Sequence, residues 1–158
     1  MKRYFIVLLT FVTVSAIAQN KNAKQTNAFH RFSPSSQLEM QRLDSIYMSA
    51  MHVDKSKCAF PDKEDTVSAC WSAFLQDVGK TLKEKNFKWQ NETRVFMRCY
   101  FNEIGNIDYC MYNIRDTSFT QYKEFEDALK DFASGYNFGL KCDKKYVQCG
   151  AVILGRKK

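Results

Sequence analysis

Two prolines, Pro34 and Pro61, are all that the 158 residues contain, so the chain holds no stiff proline-rich spacer that could carry one part far from another. It has only two histidines, His30 and His52, neither close in sequence to a cysteine pair, and no C-x-x-C spacing. Zinc sites draw on closely spaced thiolate and imidazole ligands, so neither a metal nor a cofactor is expected. No nucleophile elbow, glycine-rich phosphate loop or H-E-x-x-H zinc helix occurs. Glu124, Glu126, Asp127 and Asp131 read as the solvated face of one helix rather than as an acid–base pair. The chain therefore reads as no enzyme. The competing reading, a small envelope hydrolase, requires a pocket that places His52 beside a carboxylate or hydroxyl. Internal repeats and low-complexity runs are also missing.

A long apolar run is missing too. Tyr4–Ile17 comes nearest, at about 14 residues against the roughly 20 that span a bilayer. It follows Lys2 and Arg3 and ends at the small residues of Ala16-Ile17-Ala18. This is the pattern of a cleavable signal peptide over 1–18, with Gln19 as the new N-terminus. No cysteine follows the run before Cys58, which argues against a lipoprotein. The expected location is the periplasm or cell envelope, or the medium, with no stable membrane span after cleavage.

What the chain does have is six cysteines, Cys58, Cys70, Cys99, Cys110, Cys142 and Cys149. In an exported protein they permit up to three disulfides, in about 15 connectivities that sequence does not choose among. The net charge is +7, and loss of Lys2 and Arg3 with the signal lowers it to +5. The tightest basic cluster is Arg156-Lys157-Lys158, read as a solvated tail. No basic-aromatic motif supports a nucleic-acid partner.

Residues 19–36 are polar and read as a flexible leader, and 37–158 as a single α+β domain. Ser36-Gln37-Leu38-Glu39 fits a capping box. Met40, Leu43, Tyr47, Ala50 and Met51 then recur at helical spacing, predicting a helix over Gln37–His52. After a loop carrying Cys58, the stripe Val67, Cys70, Trp71, Phe74, Leu75, Val78 and Leu82 predicts a long second helix. Two strand-like runs follow, Arg94–Phe101 and Ile107–Ile114, joined by a turn in which Gly105 supplies the positive φ. Val95, Met97, Cys99 and Phe101 take one face of the first strand. In the second, Ile107, Cys110, Tyr112 and Ile114 point inward without strict alternation, so a bulge is expected near Asp108 or Tyr109. A third helix is read over Gln121–Ala133, then a short strand Tyr136–Lys141 and a last strand Tyr146–Leu154. Cys99–Cys110, as cross-strand neighbours, and Cys58–Cys70, between loop and helix, are the favoured disulfides. The expected core is Trp71, Phe74, Leu75, Val78, Met97, Phe101, Phe125, Leu129 and Phe132.

Val95-Phe-Met-Arg-Cys-Tyr-Phe-Asn-Glu-Ile-Gly105-Asn-Ile107 follows a V-x-V-x-F-x-V-x-x-x-G-x-V hairpin pattern. Phe125-Glu-Asp-Ala-Leu129 through Tyr136-Asn-Phe138 stands for the helix and aromatic-x-Phe element after it. In these features the run Phe74–Leu154, about half the chain, resembles the C-terminal domain of TonB and its relatives. The resemblance implies an antiparallel sheet in β-β-α-β-β order with one helix packed on it. It also implies engagement of a protein or peptide by addition of a strand to a sheet edge. The chain departs from the family where Gly139-Leu140 stands in place of the usual proline. It also lacks the retained anchor and the proline-rich linker, and residues 19–36 would span at most about 60 Å when fully extended. The expected function is thus an exported interaction module. A TonB-type energy transducer for outer-membrane transport is the alternative if the N-terminal segment stays uncleaved. The interaction residues are sought on the outward face of the first hairpin, at Arg94, Phe96, Arg98 and Tyr100, with Tyr109 and Met111 beside them. Aromatic and arginine side chains together favour recognition. The opposing expectation is that the first helix lies across this face and buries it.

Overall fold

A computed structural model describes residues 29–33 and 36–155. The expected signal peptide, the leader as far as residue 28 and the basic terminus lie outside them. The described chain is α+β, with the order β1 (Phe29–Arg31), α1 (Ser36–Asp44), β2 (Met48–Ser49), α2 (Glu64–Glu84), β3 (Thr93–Phe101), β4 (Ile107–Ile114), α3 (Tyr122–Gly135) and β5 (Tyr146–Leu154). The five strands form one mixed sheet in the order β1-β4-β3-β5-β2. β3 lies at the centre, antiparallel to both β4 and β5, and the two short edge strands run parallel to their neighbours.

The helices α2 and α3 cover one face, called inner here. Their buried residues are Val67, Trp71, Phe74, Val78 and Leu82 on α2 and Phe125, Leu129 and Ala133 on α3. They meet Val95, Met97, Cys99 and Phe101 of β3 and Ile107, Cys110, Tyr112 and Ile114 of β4, all of them buried. The packing is largely aromatic. Trp71 stacks on Phe74 at 4.8 Å, Phe74 meets Phe101 edge-on at 6.4 Å, and Phe101 stacks on Tyr146 at 5.3 Å. Gly150 of β5 leaves room for the Trp71 indole, which a Cβ at that position would strike. All nine expected core residues take part, with Leu75 and Phe132 only partly buried.

The hairpin follows the sequence. Asn102 Oδ1 accepts the N–H groups of Ile104 and Asn106 at 3.1 and 3.0 Å, and Gly105 has φ +90°. The register slips between Tyr100↔Tyr109 and Phe101↔Ile107, leaving Asp108 as the extra residue of the expected bulge. Cys99 faces Cys110 at a Cα separation of 4.1 Å as a disulfide-compatible pair. Cys58, Cys70, Cys142 and Cys149 are free, so the Cys58–Cys70 staple is not formed. The Cys58 thiol instead donates to the Ala50 carbonyl at 3.1 Å.

Four expectations change. The sheet is mixed and five-stranded, not the purely antiparallel one in β-β-α-β-β order. Phe29–Arg31, read as part of the leader, is an edge strand against Cys110–Tyr112. The first helix stops at Asp44 rather than His52. Met48 and Ala50 donate their N–H groups to Lys145 and Val147 at 2.9 and 2.8 Å, and these long-range sheet bonds displace the helical continuation that spacing suggested. The stretch Tyr136–Lys141 is not a sheet strand beyond one isolated bridge, Asn106↔Asn137. Its backbone is used by the hairpin turn instead: Phe138 N–H donates to Gly105 O at 2.8 Å and the neighbouring Cys142 N–H to Glu103 O at 3.0 Å.

Candidate interaction groove on the outer sheet face

Alternation along β3 sends Arg94, Phe96, Arg98 and Tyr100 to the outer face. Their cross-strand partners there are Asn113, Met111 and Tyr109 of β4 and Ile153, Ala151, Cys149 and Val147 of β5. Among the described residues, the only helix over this face is α1. Its nine residues span roughly 13 Å, whereas the nine residues of β3 span roughly 30 Å. Among the described residues, one half of the face is therefore covered and the other is not.

The covered half centres on Tyr100, which is fully buried with Leu43, Tyr47, Met111 and Val147. Tyr100 OH donates to Asp44 Oδ1 at 2.9 Å, Arg98 Nη2 donates to the same oxygen at 2.6 Å, and Arg98 Nε donates to Tyr100 Oη at 3.0 Å. Burial pushes the Tyr100 phenol up to about 12. Arg98 is partly desolvated, which works against its charge, but Asp44 and Tyr100 outweigh this and hold its pKa above the ordinary value. A second clamp lies at the bulge, where Tyr47 OH and Lys145 Nζ both donate to Asp108, at 2.8 and 2.9 Å. Burial is the main cause that raises Tyr47, with Asp108 adding to it.

The open half is a groove of about 370 Å3. Phe96 and Ala151 form its floor, Met40 and Met111 its wall towards α1, and Phe32 its wall towards the β1 edge, with Asn113 between. Phe32 is held there by its N–H, which donates to Tyr112 O at 2.7 Å. Phe96 is 43% exposed and its neighbour Ile153 42%. Arg94, Arg98 and Arg115 supply the charge. Arg98 is tied to Asp44, whereas no ion pair joins Arg94 or Arg115 to any described residue.

The expected site residues thus divide. Arg94 and Phe96 line the open groove, Arg98 borders it, and Tyr100 lies under α1, because the cover that was expected over the whole face reaches only half of it. Met111 lines the groove, and Tyr109 stacks on His30 at 4.8 Å beside it. Arg115, Phe32, Met40, Asn113 and Ala151 were missed. Arg115 is the next outward step of the set Tyr109, Met111, Asn113, so period two offered a signal for it. Phe32 offered none, since its place depends on the docking of β1. His52, the residue on which a hydrolase reading depended, is exposed in a loop, where its Nδ1 accepts the Asp54 N–H at 2.9 Å. Among the described residues no three His, Cys, Asp or Glu side chains gather as a metal-binding group, and no helix is long and apolar enough to cross a membrane. No protein-family model matches the chain, no curated protein matches it, and no solved structure matches it.

Proposed function

We propose that this protein is an exported, non-enzymatic interaction module that holds an extended segment of a partner protein on the outer face of its sheet. The observation that carries the reading is the half-covered face. Among the described residues, an apolar floor with arginines at its rim is left open beside a half that α1 covers. Aromatic and arginine side chains in a partly desolvated setting are the usual anchors of protein recognition. The free edge of β5 supports the same reading. β2 pairs only with Tyr146 and Val147, so Gln148–Leu154 has no strand partner on its outward side among the described residues, and this edge meets the groove at Ala151. An extended segment added there would gain main-chain hydrogen bonds and set alternate side chains towards the groove. The α2-β3-β4-α3-β5 order is compatible with the TonB C-terminal-like fold that the hairpin and helix patterns suggest. The bridge-forming residues of Cys99 and Cys110 suit an oxidising compartment.

A photo-crosslinking amino acid placed at Phe96 or Ala151 in living cells is expected to give one discrete adduct, absent when the probe replaces Lys83 on the exposed side of α2. No adduct from either groove position would contradict the reading. The intact mass of protein recovered from the envelope is expected to begin at Gln19. A membrane-bound form retaining Met1–Ala18 would favour an anchored transducer instead.

A further inference from the structure

We propose that the groove is built for an acidic, partly apolar peptide segment, whose carboxylates settle on Arg94 and Arg115 while an adjoining aliphatic or aromatic side chain lies on Phe96. This rests on the interaction reading above and specifies its ligand. β3 and β4 are in register at Val95↔Ile114, so one further step sets Arg94 beside Arg115 at the groove's end. Like charges on neighbouring strands repel one another, and no salt bridge joins either arginine to a described residue. Asp116, the acid next to Arg115, turns back to Ser118, whose N–H and hydroxyl donate to its Oδ1 at 2.9 and 2.7 Å. Arg98, on the same face, shows what compensation looks like here: its guanidinium is matched by Asp44 at 2.6 Å. One arginine of the groove therefore carries its own counter-ion and two do not.

Two uncompensated guanidinium groups beside an apolar floor form a site that carboxylates complete. Each carboxylate can accept a forked pair of N–H bonds, and the floor removes apolar surface from water at the same step. The groove, about 370 Å3, falls at the small end of the range for ligand sites. It therefore suits a few side chains of a strand rather than a folded domain. The unpaired edge of β5 favours polypeptide over lipid, because a lipid would leave its main-chain groups unused.

The test is fluorescence anisotropy with three labelled decapeptides on the purified protein. One alternates Glu with Leu and Phe, one replaces each Glu with Gln, and one replaces each Glu with Lys. The acidic peptide is expected to bind, the Gln peptide at least tenfold more weakly, and the Lys peptide not at all. In Arg94→Glu/Arg115→Glu the preference should reverse towards the Lys peptide. Circular dichroism reports whether that variant folds. If it does not, Arg94→Gln and Arg115→Gln, each at an exposed position, should each lose at least threefold for the acidic peptide alone. Equal binding of the acidic and Gln peptides overturns this inference and leaves the interaction reading standing. Failure of all three peptides overturns this inference, and the absence of a crosslinked adduct at Phe96 and Ala151 overturns the interaction reading as well. Binding to phosphatidylglycerol vesicles that depends on Arg94 and Arg115, with no peptide bound, overturns it in favour of a membrane surface.

Discussion

The two faces of this sheet are made from alternate residues of the same three long strands, yet they end in opposite states. On the inner face, Val95, Met97, Cys99 and Phe101 are fully buried beneath α2 and α3. On the outer face, β3 runs from fully buried Tyr100 to exposed Phe96 and Arg94 within six residues. Helix length explains much of the difference. The 21 residues of α2 extend roughly 31 Å, enough to follow a whole strand. The nine of α1 reach less than half as far, and the chain then leaves to become β2. A helix needs more than twice as many residues as a strand to cover the same length, so a short helix over a long strand leaves an open stretch. Here that stretch falls where the strand carries Arg94 and Phe96.

The contrast predicts unequal costs of truncation. Phe74→Ala on the inner side should lower unfolding free energy by about 3–5 kcal/mol, read from guanidinium denaturation curves. Phe96→Ala should cost less than about 1 kcal/mol, because the ring is already partly hydrated. Equal losses would mean that the outer face is packed as tightly as the inner one.

The inner face is also where a cross-link would act. The pair Cys99 and Cys110, 11 residues apart in sequence, would contribute about 3 kcal/mol through the entropy of the closed loop. Thiol titration of unfolded, unreduced protein should therefore find four reactive thiols, and six would remove the bridge from the account.

A smaller effect sharpens the covered half of the outer face. Burial raises Tyr100 to about 12, with Arg98 pulling it down and Asp44 pushing it up, against an unfolded value of about 10. The neutral phenol is favoured in the folded state. Its contribution is therefore complete below about pH 10 and is lost as the pH rises towards about 12. Burial raises Tyr136 to about 12 as well. The unfolding midpoint should stay level to about pH 10 and then fall, less steeply in Tyr100→Phe. Phenolate absorbance growing in the folded Tyr100→Phe variant just as in the parent would show that Tyr100 is not part of this loss.

Much of the inner face was legible from spacing. The stripe from Val67 to Leu82 marked α2, and the hairpin was marked by alternation, by Gly105 and by the broken alternation at Asp108. These signals are local, and each element was long enough to carry several periods. What was not legible depends on distant partners. Three residues, Phe29–Arg31, show no period of their own, and they become a strand only because Cys110–Tyr112 receive them. Met48–Ala50 kept a helical spacing that hydrogen bonds to β5 override. The same limit applied to the groove. Arg94 and Phe96 could be placed on the outward face from β3 alone. That α1 would stop short of them, and that Arg115 and Phe32 would join them, followed from the assembled sheet.

In the proposed function the uncovered half of the outer face binds a partner and the inner face supports it. Amide NMR of the protein titrated with the acidic, partly apolar peptide addresses this directly. Shifts are expected at Phe32, Met40, Arg94–Arg98, Met111–Arg115 and Ala151, with the amides of α2 unchanged. Shifts centred on α2 and α3, with the groove amides silent, would contradict it.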